Sequence, residues 1–270
     1  MDRALLKHPL EDFKWSENTT QLFGVNSEFY KANFGAPGHQ GIDYRADKLA
    51  PKNGYGTKII SAHMKSALCT QVSVDTTIRT RGNGVYLLEE LDDGQKLETI
   101  YWHVADIHIR PGEIVGPQQS IGMPAPLQRA IAVMGNTGFV RPSPTPYFPW
   151  NGTHCHFAVK KYDKSGRIIR TEYPGDFIDP TPLLFREGDK LPIRFTRTLF
   201  IGSTGDEVSW LQTILKIEGF AQDYEPIAYF GVKTARDVRL LQQKYAISSS
   251  MGYVGEITRR FLMQKYSLYA

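Results

Sequence analysis

Gly84-Val85-Tyr86-Leu87-Leu88 and Thr99-Ile100-Tyr101-Trp102-His103-Val104 flank a stretch that contains Asp92-Asp93-Gly94. Each flank is a short run of β-branched and aromatic residues, the composition of a strand. The Asp-Gly pair between them is a turn signal, so Leu88–Thr99 predicts a β-hairpin. The same strand signal recurs upstream in Lys58-Ile59-Ile60-Ser61-Ala62 and Gln71-Val72-Ser73-Val74. Gly82-Asn83-Gly84 and Pro111-Gly112 add further turn signals, and no ten-residue helical pattern intervenes. Many short strands without crossover helices predict an antiparallel β domain.

The period changes after about residue 195. Val208, Leu211, Ile214 and Leu215 recur at helical spacing, with Asp206 as the predicted N-cap and Gly219 at the predicted C-cap. Thr234–Tyr245 predicts a second helix, whose stripe of Ala235, Val238, Leu241 and Tyr245 is narrowed by polar Gln242. Glu256–Tyr266 predicts a third, with Ile257, Phe261 and Leu262 on one side. The polar run Arg186-Glu187-Gly188-Asp189-Lys190-Leu191-Pro192 reads as a connection. The chain has 270 residues. Domains hold roughly 100 to roughly 200 residues each, so this length favours two. The expected architecture is α+β in two domains. A β-rich domain spans 1–187, a linker 188–195, and a small three-helix domain 196–270.

Hydrophobic residues make up 41% of the chain and charged residues 22%. That is the composition of an ordinary globular chain and excludes bulk disorder. A net charge of +4 is too small to indicate nucleic acid, but suits work near an anionic polymer. Residues 191–270 carry ten Lys/Arg against seven Asp/Glu, +3 of the total. Two cysteines, 69 and 155, make no disulfide framework, and no disulfide is expected. No stretch of about 18 apolar residues occurs, so no membrane insertion is expected. Met1–Pro9 lacks a signal-peptide pattern, which predicts synthesis in a cytoplasm without an export leader. Arg141–Gly152 has four prolines and three aromatics, and so is a loop. It is either a wall against which substrate lies or a surface loop whose aromatics pack back on the domain.

Of the seven histidines, four fall in contexts that suggest chemistry. In Thr153-His154-Cys155-His156-Phe157, a strand would point His154 and His156 to one face and Cys155 to the other. His-x-His alone fits a solvated strand face equally well. In Gly38-His39-Gln40-Gly41-Ile42-Asp43, an imidazole and a carboxylate stand four apart, with Gly41 between them to let the backbone turn. A catalytic zinc takes three protein ligands and keeps one position open. His39, Asp43 and one of His154 and His156 supply that count. The other histidine, with His103, is then available for acid–base work. His8 lies in a polar N-terminal stretch, His63 and His108 have no partner motif, and none of the three is expected to have a functional role.

Taken in order, Gly38–Asp43, Tyr101-Trp102-His103-Val104, Gly135-Asn136-Thr137-Gly138 and Thr153–Phe157 resemble the motifs of the lysostaphin-type zinc endopeptidases. The resemblance reaches upstream to Thr20–Gly24 and downstream to Phe177-Ile178-Asp179-Pro180, about residues 10–185. It implies a β-rich peptidase that cuts peptide bonds of bacterial peptidoglycan with one zinc ion. It implies His39, Asp43 and His156 as metal ligands, and His103 and His154 as catalytic histidines. Two features depart from the pattern. Cys155 replaces the usual aliphatic residue, and Met123–Val133 looks like an insertion that would reshape the groove.

Leu199–Val208, Leu211-Gln212, Phe230-Gly231-Val232-Lys233-Thr234, Leu241-Gln242 and Gly252–Thr258 resemble, in that order, a three-helix peptidoglycan-binding domain over about 196–266. That resemblance implies a wall-anchored hydrolase. The expected partner is bacterial peptidoglycan, with no nucleic acid, and the chain is expected to be a monomer. A tethered binding module raises the local concentration of a catalyst at an insoluble substrate. Removing 191–270 is therefore expected to weaken lysis of whole cells more than cleavage of soluble peptides. Without a leader, the expected deployment is that of a phage-type endolysin. A bacterial wall-remodelling enzyme is the neighbouring possibility, and a non-catalytic wall-binding or activator protein on the same fold is the alternative function.

Overall fold

The hairpin closes on Asp93-Gly94. Leu91 accepts the Gly94 N–H at 2.9 Å and donates its own N–H to the Gln95 carbonyl at 2.8 Å, while the Asp93 carboxylate accepts the Gln95 N–H at 2.9 Å. The computed structural model describes residues 5–11, 13–46, 50–75, 77, 80–116, 130–248 and 251–270. Along the chain lie α1 (Trp15–Asn18), β1 (Thr19–Gln21), α2 (Ser27–Phe34), β2 (Ile42–Tyr44), β3 (Lys58–Ile59), β4 (Ala67–Ser73), β5 (Gly84–Glu90) and β6 (Lys96–Trp102). They are followed by β7 (Val104–Ile107), β8 (Ile114–Val115), β9 (Ala132–Met134), β10 (Cys155–Tyr162) and β11 (Phe177–Ile178). The helices α3 (Thr181–Leu184), α4 (Asp206–Ile217), α5 (Val232–Lys244) and α6 (Glu256–Tyr266) complete the chain.

The described residues divide into two compact units, 5–20 with 43–169, and 21–42 with 170–270. In the first, a sheet runs in the order β1-β2-β10-β6-β5-β4-β8, and a smaller one in the order β3-β9-β7. β6 is central. It pairs antiparallel with β5 from Gly84↔Trp102 to Glu90↔Lys96, and with β10 from His156↔Trp102 to Tyr162↔Lys96. Val85 and Leu87 of β5 alternate into the core. Ile100 and Tyr101 of β6 and Phe157 and Val159 of β10 join them, all fully buried. The strand expected over 154–159 starts one residue later, at Cys155. His154 lies just outside it, bridged to Gly135 by its N–H at 3.1 Å. Cys155 is fully buried, as a strand places it, and both cysteines are free thiols. The region expected as an insertion, Met123–Val133, lies outside the described residues up to 129, and its end, Ala132-Val133, belongs to β9.

The second unit contains α2, β11 and α3–α6. The α4 stripe of Val208, Leu211, Ile214 and Leu215 is fully buried. Asp206 does not cap α4: the cap position is Gly205, and the Asp206 carboxylate accepts the Asn26 N–H at 2.8 Å instead. On α5, Gln242 is buried rather than interrupting the stripe. Its amide donates to the Tyr253 carbonyl at 2.8 Å and the Thr258 hydroxyl at 3.0 Å, and accepts the Gly252 N–H at 3.1 Å. Gln212 on α4 repeats the device with the Tyr229 carbonyl, the Thr234 hydroxyl and the Ile227 N–H. The two Leu-Gln elements thus act as polar latches, each satisfying loop backbone that would otherwise be buried unpaired. On α6 the buried face is Thr258, Leu262 and Tyr266, whereas Ile257, expected inside, is 53% exposed. The polar run before α4 is anchored: Leu191 donates its N–H to the Tyr266 carbonyl at 2.7 Å and accepts from Leu268 at 3.0 Å. Among the described residues, no helix is long and apolar enough to cross a membrane.

Candidate metal centre

His39, Asp43 and His156 each offer a ligand atom, and those atoms all lie within 4.8 Å of one another. His39 is fully buried, and backbone fixes it on both sides. Its N–H donates to the Val25 carbonyl at 2.9 Å, and its carbonyl accepts the Gly24 N–H at 2.9 Å. The close approach falls on Gly38: a Cβ there would overlap the Gly24 carbonyl oxygen, so only glycine lets the two strands of chain meet. Asp43 sits in the middle of β2, with Oδ1 3.0 Å from His156 Nδ1 and 3.8 Å from His154 Nε2. His156 stacks on the indole of its ladder neighbour Trp102, centroids 5.2 Å apart.

His103 occupies the corner between β6 and β7 at φ 63°. A left-handed conformation at a non-glycine residue costs on the order of 1–3 kcal/mol and persists only where the surroundings hold it. Here the holder is Thr137. Its carbonyl lies 2.8 Å from His103 Nδ1, and its hydroxyl donates to the Val104 carbonyl at 2.9 Å and accepts the Asn83 N–H at 2.9 Å. The rings of His103 and His154 lie 4.6 Å apart between centroids, and those of His103 and His156 lie 6.1 Å apart. Burial, reinforced by the neighbouring His154 and His156, pushes the His103 imidazole well below the usual histidine range, so it is neutral at pH 7.

One pattern unites three of these side chains. His39 Nδ1 lies 3.1 Å from the Leu22 carbonyl, His103 Nδ1 lies 2.8 Å from that of Thr137, and His154 Nδ1 lies 2.7 Å from that of Gly152. A carbonyl can only accept, so each Nδ1 carries the proton and each Nε2 the lone pair. That is the tautomer of a metal-binding or proton-accepting imidazole.

The donor set fits zinc. Two imidazoles and one carboxylate are a catalytic-type zinc set with a position left over. Ligands at about 2.1 Å from one ion in a tetrahedral set stand about 3.4 Å apart. The ligand atoms here lie within 4.8 Å of one another, so side-chain rotation brings them onto one ion.

Of the sequence-predicted residues, His39, Asp43 and His156 come together as a candidate ligand cluster, and the His103 ring lies near those of His154 and His156. The aromatics of the proline-rich loop divide: Tyr147 and Phe148 are exposed, while Trp150 is half-buried with the Lys52 ammonium 5.2 Å from its ring centroid. Asn136 ties that loop down, donating to the Pro149 and Asn151 carbonyls at 2.9 and 3.1 Å. His63 has partners after all. It is fully buried, with Nδ1 2.8 Å from Glu89 and Nε2 2.8 Å from the Thr99 hydroxyl. His8 is not in a polar stretch but stacked on Phe13, centroids 3.5 Å apart, and its Nδ1 is 2.9 Å from the Tyr44 hydroxyl. His108 is exposed.

No protein-family model matches the chain, and no curated protein matches it. Solved structures do. A zinc-containing peptidase from Vibrio cholerae is 20% identical over 62% of this chain and 39% of its own, with a TM-score of 0.36. The catalytic domain of a prophage-encoded M23 protein, EnpA, from Enterococcus faecalis is 19% identical over 60% of this chain and 93% of its own, with a TM-score of 0.36. Lysostaphin in solution is 17% identical over 68% of this chain and 59% of its own, with a TM-score of 0.39. This chain thus spans well under half the length of the first of these. In the order of its motifs, and in the His/Asp/His cluster that they form, the chain resembles the lysostaphin-type zinc peptidases.

Proposed function

We propose that the protein is a zinc-dependent endopeptidase that hydrolyses peptide bonds of bacterial peptidoglycan. The observation that carries this is the convergence of His39, Asp43 and His156, with His103 and His154 beside them. His39, Asp43 and His156 would hold the ion. When bound, zinc lowers the pKa of a water toward neutrality and polarises a carbonyl.

The chain's own residues supply the rest. His154 presents an Nε2 lone pair, because Nδ1–H is committed to Gly152, and it takes up a proton there. The cation that results lies 3.8 Å from the Asp43 carboxylate. His103, buried and neutral, presents a second Nε2 beside the His154 ring, and passes a proton between the tetrahedral oxygen and the leaving amine. Thr137 and Gly152 keep both rings in register for these transfers.

The substrate assignment rests on the two sequence resemblances, which point separately to the same polymer. In this reading residues 1–187 are the catalyst, 188–195 the connection and 196–270 the wall-binding part. The chain is a monomer that acts on the wall, as an endolysin does. It takes no nucleic acid and inserts into no membrane. The deciding experiment is digestion of purified peptidoglycans of differing cross-bridge type, with mass analysis of the products and a chelator control. New amino termini that disappear with chelator support the proposal. Chelator-resistant release of sugar fragments overturns it.

A further inference from the structure

The segment Leu22-Phe23-Gly24-Val25-Asn26 holds His39 at three atoms. The Leu22 carbonyl is 3.1 Å from Nδ1, Gly24 N–H donates to the His39 carbonyl at 2.9 Å, and the Val25 carbonyl accepts the His39 N–H at 2.9 Å. The same five residues are gripped from their other side by the C-terminal part of the chain. Ser209, fully buried on α4, donates its hydroxyl to the Gly24 carbonyl at 2.8 Å. Asp206, one turn earlier, accepts the Asn26 N–H at 2.8 Å. The Phe23 ring lies 4.4 Å from that of Tyr173, whose hydroxyl donates to the Pro226 carbonyl. Gly24, at φ 76°, has no room for a side chain: a Cβ would stand 2.9 Å from the Pro226 carbonyl oxygen and 3.1 Å from Ser209 Oγ. All of these residues belong to one compact unit, 21–42 with 170–270.

We infer that α4 is a scaffold for the metal centre, with Ser209 and Asp206 as positioning residues that fix the backbone presenting His39. The inference rests on the metal reading of His39, Asp43 and His156, and adds to it a role that a detachable anchor would not have. A ligand's orientation depends on the groups that hydrogen-bond it, and those groups depend in turn on what pins them. Gly24 is the shared node: its carbonyl is pinned by Ser209 while its N–H pins His39. Removing residues 191–270 takes away Ser209 and Asp206 with the helices. The loss then extends to soluble peptides and to metal affinity, beyond the loss of wall binding expected of a tether alone.

The test uses the full chain. Zinc affinity is measured by competition with a chelating dye, and the visible spectrum is recorded with cobalt in place of zinc. Melting is followed with and without zinc. Ser209→Ala and Asp206→Ala should each weaken zinc binding by about tenfold, the lower end of the usual effect of removing a supporting partner. Both should alter the cobalt spectrum and shrink the zinc-induced rise in melting temperature, which falls as affinity falls. Asp206→Asn keeps the Oδ1 acceptor for the Asn26 N–H and should stay within about twofold of the parent. Arg260→Ala on exposed α6 serves as the control. If the parent binds one zinc and Ser209→Ala and Asp206→Ala bind it as tightly, the scaffold role is wrong. A lower melting temperature with an unchanged zinc-induced rise would also overturn it, because the two residues would then be merely structural. A parent chain that binds no zinc would instead remove the metal reading on which the inference stands.

Discussion

Asp43 Oδ1 lies 3.0 Å from His156 Nδ1, joining the middle of β2 to the start of the β10 ladder. A carboxylate and an imidazole buried this closely either pair with each other or share a cation. The second use accounts for His39, which brings a third donor to the same point. Asp43→Ala should therefore abolish stoichiometric zinc along with activity. Metal analysis after exhaustive dialysis checks this, and a variant that kept one zinc per chain would remove Asp43 from the ligand set.

His103 and His154 stand apart from the candidate ligands. Their rings lie 4.6 Å apart between centroids, tilted by 47°, and each Nδ1 is committed to a backbone carbonyl. His154→Ala and His103→Ala should retain zinc while turnover falls by about 10²–10⁴, the usual contribution of a positioned acid or base. Parallel measurement of metal content and of the rate on a soluble peptide tests both. Wild-type turnover in His154→Ala would dismiss the proton-transfer role given to it.

Gly38 offers a stability prediction. A methyl group at this position meets the Gly24 carbonyl oxygen, which is backbone and hydrogen-bonded to Ser209. Neither neighbour can swing aside as a flexible side chain would. Gly38→Ala should lower stability by about 1–3 kcal/mol, the usual cost of overpacking a tight contact. Denaturant unfolding reads this directly, and an unchanged midpoint would mean that the loop relaxes freely.

The hairpin and the three C-terminal helices were legible in the sequence, because turn chemistry and apolar period are local signals. The five candidate site residues came from four motifs taken in order, each of them weak alone. Their supports were not legible. Leu22, Thr137 and Gly152 act through backbone carbonyls, which every residue type has. Gly41 was the glycine singled out by the motif, yet the contact that demands a glycine is at Gly38, because its cause is Gly24, far back along the chain. His63 and Glu89 meet across 26 residues, and Ser209 and Gly24 across 185, separations at which no pattern in one sequence speaks. Ile257 misled because helical period gives a stripe without saying which side is covered. Gln242 misled because a polar residue on an apolar stripe reads as an interruption until its loop partners are known.

Asp179 and Glu225 make stability depend on pH in a direction opposite to that of a salt-bridged surface carboxylate. Asp179 is buried and accepts from the Thr213 hydroxyl at 2.6 Å and the Thr181 N–H at 2.9 Å, while its own N–H donates to Glu225 at 2.9 Å. Lys216 lies 2.9 Å from Glu225. Burial nevertheless outweighs these partners and raises both carboxyls above their ordinary range. The folded chain therefore keeps protons that the unfolded chain releases. Their stabilising contribution is complete below the ordinary carboxylate values, about pH 4, and is lost as pH rises through the raised ones. Asp179→Asn keeps the shape and removes one titration. Its melting temperature should fall less than the parent's as pH is raised from about 4 to 7. Melting curves across that range decide it, and parallel pH profiles for parent and variant would show that Asp179 contributes nothing to the slope.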